Sequence, residues 1–224
     1  MSLIISHLSV YGVNNENSKE KSILIDDFSV TVDKGTVLTL MGPSGSGKST
    51  LLSIIAGFVS PDFNYTGQLL LEQKSLFSIK PENRNIGILF QDDLLFPHLT
   101  ICENLMIALP NMIKGKQRRD MALKALSKIN LQHLADRAPE QISGGQKARI
   151  GVLRLLLAEP KAVLLDEPFS KLDKSLRSEF RDWLFAELKK RNLPTILVTH
   201  DSEDCPQGAI TLHWPWGNKE HIDA

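Results

Sequence analysis

The stretch Val37-Leu38-Thr39-Leu40-Met41-Gly42-Pro43-Ser44-Gly45-Ser46-Gly47-Lys48-Ser49-Thr50 decides the fold. Val37–Met41 reads as a short buried strand, and Leu51, Leu52, Ile54 and Ile55 carry helical spacing from Lys48 to a stop at Gly57. Between them, Gly42 to Ser49 fits G-x-x-x-x-G-K-[ST] in the strand–loop–helix context that motif requires. The glycines let successive backbone N–H groups close around phosphate oxygens, and the helix start adds its partial positive charge. Lys48 is placed to reach the β- and γ-phosphates and Ser49 to ligate Mg²⁺, with Pro43, Ser44, Gly45, Ser46 and Thr50 completing the cradle.

Downstream, Ala162-Val163-Leu164-Leu165-Asp166-Glu167-Pro168 reads as a second buried strand ending in two acids. After a phosphate loop, an Asp at such a strand end holds magnesium through water, so Asp166 is the expected metal residue. Glu167, one residue on, is placed to polarise the water that attacks the γ-phosphate. Pro168 ends the strand, so the acids fall at the carboxyl edge of the sheet, where open α/β sheets bind ligands.

Working outward, residues 3–10, 28–32, 66–71, 86–90, 195–198 and 209–212 read as further strands, and Lys174–Lys190 as an amphipathic helix. Residues 12–22, rich in Asn, read as a polar hairpin tip. From 99 to 157 the period turns helical, with residues 114–119 basic and expected to be exposed. The expectation is a single 1–224 domain of α/β class. Its phosphate-loop NTPase core sheet, with an antiparallel β edge, spans 1–98 and 159–224; residues 99–158 form an inserted α-helical subdomain. Trp183 is expected in the core, and Trp214 and Trp216 over the sheet edge.

Lys plus Arg equals Asp plus Glu at 26 each, which removes any bulk electrostatic argument for nucleic-acid binding. No apolar run nears the ~20 residues of a membrane-spanning helix, and no basic region precedes the first apolar residues as in a secretory signal. Cys102 and Cys205 form no metal-ligand spacing. The expectation is a protein of the reducing cytosol.

Ile142-Ser143-Gly144-Gly145-Gln146 opens a helix running to Ala158, with Ser143 as a natural N-cap. With this motif between the phosphate loop and the acidic pair, the chain resembles the ATP-binding-cassette (ABC) ATPases along nearly its whole length. Their signature usually begins with Leu where this chain has Ile142. The resemblance implies ATP and Mg²⁺ as ligands and a homodimer that sandwiches two ATP molecules. In it, Ser143, Gly144, Gly145 and Gln146 bind the γ-phosphate held by the other copy. It also implies that Gln91 contacts magnesium and the attacking water, that His200 contacts the γ-phosphate, and that Tyr11 stacks on adenine. Ser170-Lys171-Leu172-Asp173 resembles the loop that crosses between subunits, with Lys171 in place of the usual Ala.

Leu95-Phe96-Pro97-His98-Leu99-Thr100, followed by Glu103-Asn104, resembles the importer branch, closest to the YnjBCD-type bacterial importers and also similar to thiamine, iron and sulfate importer ATPases. That implies transmembrane permease subunits as direct partners, a solute-binding protein as an indirect one, no nucleic acid, and a place on the cytoplasmic face of a bacterial plasma membrane. An exporter ATPase is the nearest alternative. A DNA-maintenance ATPase head would need a long coiled-coil insertion, and a non-hydrolysing sensor would be expected to lack Glu167 or His200.

Overall fold

Alternating β-branched and aliphatic residues build two sheets, and the computed structural model describes them through residues 2–12, 23–91 and 95–216. Strands β1 (Leu3–Gly12), β2 (Ile23–Val32), β4 (Phe63–Leu71) and β5 (Lys74–Ser75) form an antiparallel sheet in the order β2-β1-β4-β5. Strands β3 (Val37–Met41), β6 (Ile86–Leu89), β7 (Ala162–Asp166), β8 (Thr195–Thr199) and β9 (Ile210–His213) form a second sheet in the order β6-β7-β8-β3-β9. In it β3 pairs in parallel with β8 and β9, and β7 with β8. Every residue of β7 and β8 is buried, as expected of parallel strands covered on both faces.

The chain divides into two compact units. The first holds the described residues among 1–88, 161–166 and 187–224; the second holds those among 89–160 and 167–186. In the first, helix α1 (Lys48–Ala56) and both sheets share one core in which Leu3, Phe28, Leu40, Leu51, Ile55, Leu164 and Ile196 are nearly solvent-free. Burying each such side chain is worth roughly 1.5–3 kcal/mol. The second unit holds α2 (Ile101–Met106), α3 (Gly115–Lys128), α4 (Gly144–Leu157) and α5 (Lys174–Lys190) as far as residue 186.

Several boundaries differ from those the sequence pattern suggests, for local reasons. β2 starts at Ile23, five residues before the expected start, and β4 at Phe63. His7 and Asp27 both sit at positive φ (49° and 46°), where the β1–β2 register shifts. Such bulges interrupt the period of two on which strand recognition rests. Across the other ladder, a Cβ on Gly67, which sits at φ 110°, would collide with the His7 carbonyl oxygen, so only glycine lets the backbones close there. The polar tip expected at residues 12–22 lies, apart from Gly12, outside the described residues.

Two further expectations need correction. Arg118, within the basic run expected to be exposed, is half-buried and donates to the carbonyls of Met106, Leu109, Pro110 and Ile113. Its guanidinium closes the α2–α3 connection because one planar fork can satisfy several carbonyls at once. Trp216 does not cover a sheet edge. It is 4% exposed in the core, 6.3 Å from the Phe28 ring, and donates its indole N–H to Met41 O at 3.2 Å. Trp183 is half-buried, stacked on Phe180 at 5.2 Å.

Candidate nucleotide site

The loop after β3 is shaped by its glycines and closed by its lysine. Gly45 and Gly47 adopt φ of 81° and 88°, the left-handed region that costs glycine nothing. A Cβ on Gly47 would also strike Leu24 Cγ at 2.8 Å, and one on Gly42 would strike Trp214 Cβ at 2.9 Å. Gly47 is the N-cap of α1 and has no side chain to occupy the first-turn N–H groups, which leaves them for an anion. Lys48, only 8% exposed, donates to the carbonyls of Gly42 and Pro43, both at 2.7 Å. An ammonium has three donors, and the third faces Ser46 Oγ at a long 3.5 Å, the weakest of the three and the one a phosphate oxygen would most readily replace. Ser46 is buried beside Lys48, while Pro43, Ser44, Gly45 and Ser49 are exposed and Thr50 half-buried.

The far end of α1 is held by a residue that the sequence did not flag. Arg84 is 5% exposed and donates to Ile54 O at 2.9 Å, Ile55 O at 2.8 Å and Ile79 O at 3.0 Å. Burial pushes its guanidinium below the usual arginine range. Gly57, the helix C-cap at φ 97°, makes room, because a Cβ there would lie 2.8 Å from Arg84 Cζ. A cation on the terminal carbonyls complements the helix dipole and braces the helix whose other end carries the phosphate loop. Nothing in Pro81-Glu82-Asn83-Arg84 as a string announces this role. Arg84→Met should lower unfolding free energy by about 2–4 kcal/mol in urea denaturation, since buried carbonyls lose their donors. A loss under about 1 kcal/mol would mean that water satisfies them equally well.

The strand order brings the other residues of this unit together. β7 and β3 flank β8, with Asp166 opposite Val198 and Met41 opposite Thr199 in the parallel registers. The phosphate loop, Asp166 and His200 thus emerge at three adjacent strand ends on one edge of the sheet, the edge where such sheets bind ligands. Asp166 is 5% exposed and His200 is exposed. Thr199 donates to Asp204 Oδ2 at 2.8 Å, and Asp201 caps the following turn by accepting from Glu203 N, so His200 sits in a fixed bend. Ser49 hydroxyl and Asp166 carboxylate are hard oxygen donors of the kind Mg²⁺ takes alongside phosphates. Tyr11 is half-buried near the end of β1, paired across with Ile23 and Asn64.

The second unit holds the remaining candidates. Ser143 caps α4 in a reciprocal box: its hydroxyl accepts from Gln146 N–H, and the Gln146 side chain accepts from Ser143 N–H at 2.9 Å. Gly144 and Gly145 follow at the first two positions of the helix. Gln91, Glu167, Ser170 and Lys171 line one cleft of about 10 Å³, close to the room a single water needs. Glu167 stands at φ 47°, a conformation uncommon for any residue with a side chain. The turn it opens is closed by Ser170, whose N–H and hydroxyl both donate to Glu167 O. Phe169, fully buried against Phe180 and Phe185, anchors that turn. Asp173 is exposed, and its carbonyl accepts from Arg177 N as α5 begins.

A second residue whose role the motifs did not announce is Asn104, which is fully buried. Its side chain accepts from Phe96 N and donates to the carbonyls of Phe96, Leu99 and Thr100, so the Phe96–Thr100 segment is tied down at four points. Phe96 is 43% exposed on that platform, with Arg154 Cζ 5.6 Å from its ring centre. Thr100 and Glu103 form a capping box beside it, and the Thr100 N–H and hydroxyl hold the Glu103 carboxyl below its ordinary range.

Residues 25–170 match the family described as ABC transporter, well over half of the chain. This chain belongs to the ABC transporter family. Its activity is the family's, the binding and hydrolysis of ATP. It is 46% identical over 192 residues to the uncharacterised ABC transporter ATP-binding protein YnjD of Escherichia coli, covering 86% of this chain and 88% of that one. It is 38% identical to the thiamine import ATP-binding protein ThiQ of Aliivibrio fischeri, covering 84% and 79% of the two chains. A 40% match to the sulfate/thiosulfate import ATP-binding protein CysA of Pseudomonas aeruginosa covers 83% of this chain but 57% of that protein. Among solved structures, the dimeric post-hydrolysis state of the ATP-binding cassette MJ0796 bound to ADP and Pi superposes with a TM-score of 0.81 at 26% identity, over 96% of this chain and 95% of that one. No helix among the described residues is long and apolar enough to cross a membrane.

Proposed function

We propose that this chain is the ATP-hydrolysing subunit of a bacterial solute importer, held at the cytoplasmic face of the plasma membrane by permease subunits and working as a head-to-tail homodimer around two ATP molecules. The observation that carries the nucleotide site is the convergence of the Lys48 loop, Asp166 and His200 on one edge of the parallel sheet. Lys48 and the α1 N-terminus bind the phosphates, Tyr11 stacks on the adenine, and His200 contacts the γ-phosphate. Ser49, Asp166 and Gln91 would hold Mg²⁺, which would supply Lewis-acid charge to the phosphate oxygens. Glu167 takes the proton of the attacking water, and Gln91 orients that water beside it. Ser143, Gly144, Gly145 and Gln146 close on the γ-phosphate of the second copy, and Asp173 lies in the loop that crosses between the two. A solute-binding protein would act through the permease alone.

Import rather than export rests on relatives that are import ATP-binding proteins and on the Phe96–Thr100 platform. A rigid loop that presents an exposed aromatic ring suits a short helix of a membrane partner, because such rings anchor interfaces. The test is a Phe96→Cys chain, with Cys205 replaced by Ser, expressed with the permease encoded beside it. Cysteine cross-linking is expected to join position 96 to a cytosolic loop of that permease. Cross-links confined to soluble or DNA-associated proteins would overturn the transporter assignment.

A further inference from the structure

Arg154, in the last turn of α4, is a cation without an acceptor. Its Nη1 is sealed from solvent, and among the described residues no group accepts its hydrogens. The residue as a whole is half-buried, and its guanidinium lies against the Phe96 ring, whose centre is 5.6 Å from Arg154 Cζ. Burial pushes that guanidinium below the usual arginine range, and no carboxylate acts against the push. Other arginines of the same unit are provided for. Arg118 has its four carbonyls, Arg119 has Asp136 at 2.9 Å, and Arg149 has the Gly145 carbonyl and the charge of Glu179. A ring face attracts a cation but does not replace an acceptor for its N–H groups, so the demand of Arg154 for negative charge stands unmet.

The ring over this cation is the exposed part of the platform proposed above to receive a membrane partner's short helix. Asn104 binds both the N–H and the carbonyl of Phe96, which fixes the backbone, while a ring 43% exposed changes rotamer readily. The partner can therefore displace the ring without disturbing the platform. A helix laid on Phe96 also strips the remaining water from Arg154. Dehydrating a cation that has no acceptor is unfavourable, so whatever covers this ring binds well only if it brings an anion. We propose that Arg154 is the receptor for a carboxylate, an Asp or Glu side chain on the short permease helix that covers Phe96. The planar fork of a guanidinium matches a carboxylate in a bidentate pair. This rests on the docking reading of the Phe96–Thr100 platform and specifies the partner further. The segment that seats there is apolar where it meets the ring and acidic at the position that faces Arg154.

The test titrates the full chain onto the detergent-purified permease encoded beside it. Arg154→Met keeps an unbranched stem and removes the charge. It is expected to weaken assembly about ten- to a hundred-fold, the loss of one or two charge-assisted hydrogen bonds. Arg154→Lys keeps the charge without the fork and is expected to recover part of the loss. In the isolated chain, Arg154→Met should leave ATP hydrolysis unchanged and the urea midpoint equal or higher, because an apolar stem replaces an uncompensated cation. The partner carboxylate is then sought by changing each Asp to Asn and each Glu to Gln, one at a time, in the permease loop that cross-links to position 96. One such change should match Arg154→Met in size and add nothing when the two are combined. Undiminished assembly by Arg154→Met overturns the proposal. So does a lowered urea midpoint, which would make the arginine a brace within its own unit, and so do loop changes that are all additive with Arg154→Met. If position 96 never cross-links to the permease, the docking reading fails first, and the two failures are told apart.

Discussion

Glu167→Gln is expected to leave ATP bound, abolish turnover, and accumulate a dimer. The substitution keeps the length and planar end of the side chain, so the positive-φ turn closed by Ser170 and anchored by Phe169 has no new demand placed on it. What goes is the negative charge proposed to accept a proton from the attacking water, an effect worth roughly 10²–10⁴ in rate. In the proposed sandwich each signature helix shares the γ-phosphate held by the other copy's loop, so uncleaved ATP should lock the pair. Cleavage would remove that contact and release the pair, in the manner of nucleotide switches. Chromatography with ATP and Mg²⁺ reads the outcome directly. A variant that stays monomeric at saturating ATP counts against the sandwich, and one that hydrolyses at the normal rate means another group activates the water.

Lys48→Ala should be as damaging to turnover by a different route. Its ammonium joins the carbonyls of Gly42 and Pro43 across the loop, so alanine removes the staple that shapes the cradle together with the proposed phosphate contact. Hydrolysis is expected to fall below detection, and ATP affinity should drop about ten- to a hundred-fold, the loss of one or two charge-assisted hydrogen bonds. The fold should survive, because α1 remains braced by Arg84 and packed in the core through Leu51, Leu52, Ile54 and Ile55. Isothermal titration and circular dichroism separate the two effects. Retained wild-type turnover would refute the phosphate-loop assignment.

These expectations were legible because they sit where local and global signals agree. Val37–Met41 and Lys174–Lys190 have the bounds that their apolar spacing implies, and β7 and β8 each run one residue past it. The motif residues of the phosphate loop, the acidic pair and the signature could be proposed from the string because those motifs are defined by local spacing. What the sequence hid is long-range. Arg84 meets α1 thirty positions back in the chain, and no periodicity encodes that meeting. Asn104 binds four backbone groups within eight residues, yet an Asn early in a short helix looks like any other polar residue. Arg118 read as one more basic surface residue because the carbonyls it serves lie in a connection with no regular pattern. The β1–β2 bulge at His7 and Asp27 concealed half a strand.

Glu167 shows what this arrangement asks of evolution. A side chain at φ 47° occupies a backbone state that glycine would enter freely, and the difference is of order 1 kcal/mol. Glycine at position 167 would relieve that cost and take away the carboxylate proposed to activate water, so backbone comfort and chemistry make opposite demands on this bend.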